Sequence, residues 1–224
     1  MDTRITKYSF ETGGMSYFRG NAHLVELGTY GQKKDPIGAK AYVDPQSKVK
    51  ADTLASRVKV GKPVKINWNE VSKVDLEAEG VLKFFGLGKK GAASFTHEQA
   101  RTAKLELLNF SISEGPLQQL LNTDADGARG FLADEGDDGR IVSEAWVVVS
   151  AELGQHFATH AAASAGVKAF GSSLDVSASG GQHGTQTITL SAGTTFAYKL
   201  HQVKDWNKGK TQIENMEADY KGMS

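Results

Sequence analysis

The sequence predicts an α+β domain, a twisted antiparallel sheet with surrounding short helices. Three observations carry that expectation. Apolar and polar residues alternate with period two along much of the chain, helical periodicity is confined to short stretches, and glycine is abundant (25) while proline is scarce (4). That balance suits many turns between strands better than a disordered linker. A length of 224 residues is enough for one domain with a sizeable core. With no internal repeat, the reading is one domain over residues 1–203 and a polar tail over 204–224.

The strands come first. "VDLEAEG" (74–80) sets Val74, Leu76 and Ala78 on one face, against Asp75, Glu77 and Glu79 on the other. "AKLELLNFSI" (103–112) opposes Ala103, Leu105 and Leu107 to Lys104 and Glu106. "AWVVVSAEL" (145–153) aligns Val147, Val149, Ala151 and Leu153, and "SLDVSAS" (173–179) aligns Leu174, Val176 and Ala178. Each describes a strand with one apolar and one wet face. "TITLSAGTTFAYKLHQV" (187–203) alternates, breaks at Ser191-Ala192-Gly193 and alternates again, which predicts a hairpin.

Two stretches read as helical. Ser113 is placed to cap "EGPLQQLL", where proline is tolerated in the first turn and Leu117, Leu120 and Leu121 form a stripe. "FATHAAASAGVKAF" (157–170) is alanine-rich and suits a short helix ending near Gly166. The acidic, glycine-punctuated "NTDADGARGFLADEGDDGR" (122–140) reads as a loop, and alternation is lost from Trp206 onward.

No motif for catalysis survives inspection. "GLGKKG" places Gly86, Gly88 and Gly91 as in a dinucleotide-binding turn, with Glu106 about where a ribose-binding acid would stand. Glu106, however, lies inside a strand and no further βα units follow, so the segment reads as a flexible turn. Asn122, Asp124, Asp126 and Gly127 begin like a calcium loop, but its twelfth position is Ala133 rather than a bidentate acid. His156 and His160 have a zinc-ligand spacing without the accompanying glutamate or a third ligand. No cofactor and no metal are expected, and no enzymatic activity is indicated. Enzyme chemistry would need a cleft uniting acids and histidines. The chain has no cysteine, which excludes disulfides, thiolate nucleophiles and thiol-borne lipids. The first residues lack a signal-peptide pattern and no apolar run reaches membrane-helix length, so a cytoplasmic chain, soluble as synthesised, is expected.

Net charge is zero, but residues 1–110 hold 18 Lys/Arg against 12 Asp/Glu, and the rest hold 8 against 14. Between Lys33 and Lys65, nine basic residues face three aspartates. Such asymmetry points to a polyanion or an anionic membrane surface, and equally describes a lysine-bearing sheet edge that resists aggregation.

The order of elements carries a resemblance. A Lys/Glu-alternating strand runs into "LNFSI", followed by the "PLQQLL" helix, an acidic loop, "IVSEAWVV", a Gly/Ser-rich strand and "TITLSAGTTFAYKL". Over about residues 73–203 this resembles the pore-forming N-terminal domain of gasdermins, closest in the terminal strand, small-residue turn and strand. The resemblance implies a soluble twisted sheet in which two regions, here 73–112 and 141–190, refold into membrane-spanning hairpins. A membrane strand needs about 9–11 alternating residues. On this reading Leu76, Leu105, Leu107, Val147, Val149, Leu174 and Val176 face lipid after insertion. The same residues would fill the core of an ordinary sheet. Charge alone nominates Lys48, Lys50, Arg57, Lys59, Lys62 and Lys65 as the contacts to acidic lipid.

The implied function is membrane permeabilisation in cell death or defence: adsorption to anionic membrane lipids, homo-oligomerisation and hairpin insertion, with relocation from cytoplasm to membrane. An activating protease or partner protein would release the domain, residues 204–224 serving as a short inhibitory tail, and nucleic acid is not an expected partner. The family's bacterial members carry an acylated cysteine near the N-terminus, which this chain lacks. The alternative is a non-pore binding or scaffold module built on the same sheet.

Overall fold

Two strands of twelve residues, β9 (Gly139–Ser150) and β12 (Thr195–Trp206), run side by side and antiparallel at the centre of the molecule. The structure, a computed structural model, describes residues 3–37, 40–71, 105–150, 174–178, 186–190 and 195–222. Strands this long twist, so each edge of the pair meets more than one neighbour along its length. On β9, β4 (Thr29–Lys34) pairs with the beginning and β8 (Leu105–Ser111) with the remainder, from Glu144↔Ser111 to Ser150↔Leu105. β5 (Tyr42–Lys48) extends the sheet beyond β4. β6 (Lys59–Val60) and β7 (Val64–Lys65) line the other edge of β8.

On β12, β3 (Met15–Phe18) meets Tyr198 through Phe18, and β1 (Thr3–Ile5) and β2 (Ser9–Thr12) follow outward. The second half of β12 pairs with β13 (Ile213–Asp219). All these strand pairs are antiparallel, and the result is a curled antiparallel sheet with few short helices, an α+β fold. β10 (Leu174–Ala178) and β11 (Gln186–Leu190) pair with each other in a separate two-stranded sheet.

Both faces of β9 are covered. Ile141, Ala145 and Val147 meet a cluster containing α2 (Glu114–Thr123) and α3 (Asp126–Glu135), through Leu117, Leu120, Leu121, Ala128 and Leu132. Val142, on the opposite face, joins Phe18, Val25, Val43, Tyr198 and Leu200. Near the other end of β9, Trp146 sits edge-on to Phe10 and Tyr17, and Phe10 is edge-on to Phe196. Each fully buried leucine or phenylalanine of this kind contributes about 1.5–3 kcal/mol. A strand packed on both faces is apolar throughout, so Leu107 and Leu108 are both fully buried instead of alternating. Where β4 bulges against β5, Gly31 is obligatory, since a Cβ there would lie 2.0 Å from the Asp44 carbonyl oxygen.

Four sequence expectations need correction. Residues 122–140 are not a loop: α3 occupies most of them, with Ala128 and Leu132 buried and Phe131 against Tyr30. Packing of that stripe outweighs the roughly 1 kcal/mol helix cost of each of Gly127 and Gly130. The segment from 204 onward is not a polar tail. A boundary at 203 falls inside β12, and β13 buries Ile213 and Met216 at 2% exposure each. Bulges around Asp205 break the period-two pattern there, which hides the strand. Among the described residues, the two arms of the hairpin expected over 187–203 do not pair with each other: β11 pairs with β10, and β12 pairs with β9. Ser113 is the residue before α2, but its hydroxyl accepts from Lys59 Nζ at 3.0 Å and makes no capping bond. Of the strands expected over 103–112, 145–153 and 173–179, residues 105–111, 145–150 and 174–178 are strand, while "VDLEAEG", "GLGKKG", "HFATH" and the helix over 157–170 lie outside the described residues.

Candidate functional site

The six basic residues nominated for lipid divide into two groups. Lys48 reaches Glu26 at 2.6 Å and Arg57 reaches Asp124 at 2.5 Å, so part of their charge is met by protein. The Thr123 hydroxyl and Arg57 hold the Asp124 carboxyl below its usual range, which answers for one acid of the apparent calcium loop. A second, Asp126, pairs with Arg129 at 2.8 Å, and Asn122 bonds to Ile213. The other group follows one edge. Lys59 and Lys65 stand on β6 and β7 along the outer side of β8, with Lys62 in the connection between them, and all three are exposed. Lys50, also exposed, precedes α1 (Ala51–Ala55).

Four of the residues assigned to a lipid-facing role, Leu105, Leu107, Val147 and Val149, lie on β8 and β9. Leu107 is fully buried and Val147 is 7% exposed, so both belong to the core in this form. Leu105 opens β8 opposite Ser150, Val149 pairs with Glu106, and Leu174 and Val176 belong to β10. Leu76 lies outside the described residues. Among the described residues, no helix is long and apolar enough to cross a membrane, which does not bear on strands.

Sequence reading missed a polar cleft of about 280 Å³ where β8, β9, β12, β13 and the start of α2 converge. Among its lining residues is the buried His201, 5% exposed. A bulge in the β9–β12 pairing between Lys199 and Leu200 turns Ser143 toward it, and Ser143 Oγ lies 2.7 Å from His201 Nδ1. Glu114, in the first turn of α2, reaches Nε2 at 3.4 Å from a half-exposed position. Glu144 on the cleft wall accepts from Asn109 Nδ2 at 2.6 Å. Burial, then the nearby Lys199 charge, pushes the His201 imidazole below its ordinary value, opposed only in part by Glu114. The four contributing residues are scattered over 88 positions of sequence, from Glu114 to His201, so no local spacing announces them. Among the described residues, no group of three or more His, Asp or Glu side chains is arranged to hold a metal ion.

A second buried polar cluster ties the last strand down. Asp219 Oδ2 accepts from Lys33 Nζ at 2.6 Å and from Arg140 Nε at 2.7 Å, with all three side chains less than 10% exposed. Burial alone would raise the Asp219 carboxyl, but the hydrogen bonds from Lys33, Arg140 and the Lys221 N–H hold it below the usual range. Comparison with family models, curated proteins and solved structures returns no match to this chain.

Proposed function

We propose that the chain is a gasdermin-like, membrane-permeabilising protein of cell death or defence. It adsorbs from the cytoplasm to acidic lipid, oligomerises and extends strands into the bilayer without enzymatic chemistry. One observation supports this reading above the others. β8 begins and β9 ends side by side, Leu105 opposite Ser150, and β12 begins beside them at Thr195 opposite Val147. The sequence nominates 73–112 and 141–190 for insertion, and the parts of those regions before β8 and after β9 are therefore joined to the same end of adjacent antiparallel strands. Lengthening the β8–β9 ladder in its existing register would carry both regions outward together, with lipid-facing and lumen-facing residues alternating. The exposed Lys59, Lys62 and Lys65 flank β8 and supply charge of the right sign, each worth about 1 kcal/mol at an anionic leaflet.

Dye release tests the proposal. The intact chain, added to vesicles with and without anionic lipid, is expected to release dye only from the anionic ones once oligomers form. Binding without leakage under every condition tried would favour the binding or scaffold module instead.

A further inference from the structure

The geometry points to an acid-sensitive joint at His201, whose protonation loosens the amino end of α2 from β9 and β12. This inference rests on the cleft alone and is independent of the membrane reading. At neutral pH the joint is satisfied: Ser143 Oγ is 2.7 Å from Nδ1 and Glu114 is 3.4 Å from Nε2, so one side chain links α2, β9 and β12. Adding a proton forces both ring nitrogens to donate and places a cation in a site 5% exposed.

The surroundings do not compensate that charge. Lys199 lies two positions away on β12 and shares the cleft, repelling an imidazolium. From β9, Glu144 faces the cleft but is engaged by Asn109 and by the Tyr17 hydroxyl. β8 contributes Ser111 and β13 contributes Ala218, neither charged. Of the two acids lining the cleft, Glu114 of α2 is the one that contacts the ring, and its half-exposed carboxylate is screened by water.

The sign of the pH effect follows. An undocked histidine takes up its proton near pH 6.5, whereas the docked one resists protonation to a lower value. The contribution of the joint is complete above pH 6.5 and is lost as pH falls from there toward the docked value. Through that window one extra proton is bound on opening, so the open population rises about tenfold per pH unit. Opening would bring Leu117, Leu120 and Leu121, all fully buried when α2 is docked, toward solvent.

Amide hydrogen exchange of the intact chain tests the inference, with protection factors for α2 measured from pH 7.5 to 5.5. Wild type is expected to lose up to about tenfold protection per pH unit below 6.5, and His201→Gln to stay flat over the same range. Glu114→Gln, which removes the carboxylate that contacts the ring, should extend the loss to lower pH. Equal pH dependence in wild type and His201→Gln would overturn the proposal. So would an imidazole titration, followed by NMR in the wild type, with a midpoint for His201 at or above 6.5. That titration decides alone if the glutamine variant does not fold. Vesicle leakage is not read, so a failure here is distinct from a failure of the permeabilisation proposal.

Discussion

Asn122 and Ile213 clasp each other as two strands would: the Ile213 N–H donates to Asn122 Oδ1 at 2.8 Å, and Asn122 Nδ2 donates to the Ile213 carbonyl at 2.9 Å. Gln118 Nε2, one turn earlier on α2, adds bonds of 3.0 Å to the Ile213 and Glu214 carbonyls. Amide side chains from a helix thereby take the place of a further strand along the start of β13, which blunts an edge open to pairing with another chain. Asn122→Ala is expected to lower unfolding free energy by about 1–3 kcal/mol, because the Ile213 N–H loses its acceptor while the Ile213 carbonyl keeps only Gln118. Urea unfolding at neutral pH measures this. A change below 0.5 kcal/mol, of the order of an ordinary surface substitution, would show that water replaces the clasp without penalty.

Cutting the chain after Val203 is expected to destabilise it, and not merely to release an inhibitor. The cut would remove Ile213 and Met216 from the core, each worth about 1.5–3 kcal/mol, and leave Lys33 and Arg140 buried without Asp219. Thermal melting by circular dichroism should show a broad or absent transition for residues 1–203. A truncated chain that melts like the intact one would restore the view of 204–224 as a detachable tail.

Asp219→Asn should cost about 3–5 kcal/mol, since it strands two buried cations beside a neutral amide. Adding Lys33→Met should recover part of that loss. The carboxyl is held low in the folded protein, so its contribution is complete above about pH 4 and is lost as pH falls through the folded value. Denaturation midpoints at pH 7 and pH 3 should therefore differ more for wild type than for Asp219→Asn.

Reversal of Lys59, Lys62 and Lys65 to glutamate should weaken sedimentation with anionic vesicles at least tenfold while leaving the melting temperature nearly unchanged. Raising salt should weaken wild-type binding in parallel as screening shortens the Debye length. Arg57→Glu is the contrasting change: it breaks the pair with Asp124, so stability should fall together with any effect on binding. Undiminished sedimentation by the triple variant would leave this edge as ordinary solvated surface.

How much was legible depended on how local the cause was. β8, β9 and β10 announce themselves because their apolar residues recur within a few positions. α2 was equally plain from Leu117, Leu120 and Leu121 behind Pro116. Its neighbour α3 was not, because two glycines and four acids within 124–135 mask a short stripe of Ala128, Phe131 and Leu132. β13 escaped since its buried residues, Ile213, Met216 and Asp219, fall three apart, with bulges at Asp205 interrupting the pairing opposite the first interval. Pairing partners were the least legible: Ser191-Ala192-Gly193 is a sound turn signal, yet β12 finds its partner in β9 about fifty residues earlier. Alternation says that a strand has a face to bury and is silent about which strand lies beside it. The His201 cleft was invisible for the same reason, being assembled by pairings and a bulge.

The central position of β12 has a consequence for biosynthesis. It leaves the ribosome after β3 and β9, both of which depend on it for an edge, and the Phe18–Tyr198 contact closes a loop of 180 residues. Until Thr195–Trp206 emerges, β9 lacks the neighbour that pairs with Ile141 through Val147, and the Phe10–Trp146 aromatic group lacks Phe196. Contacts so distant in sequence make folding slow, on the millisecond-to-second scale or longer. The nascent chain therefore carries an open, strongly apolar strand edge from the emergence of Ser150 to that of Trp206, a state in which aggregation competes with folding. Expression yield should accordingly respond more to chaperone supply and translation rate than to the stability of the finished sheet.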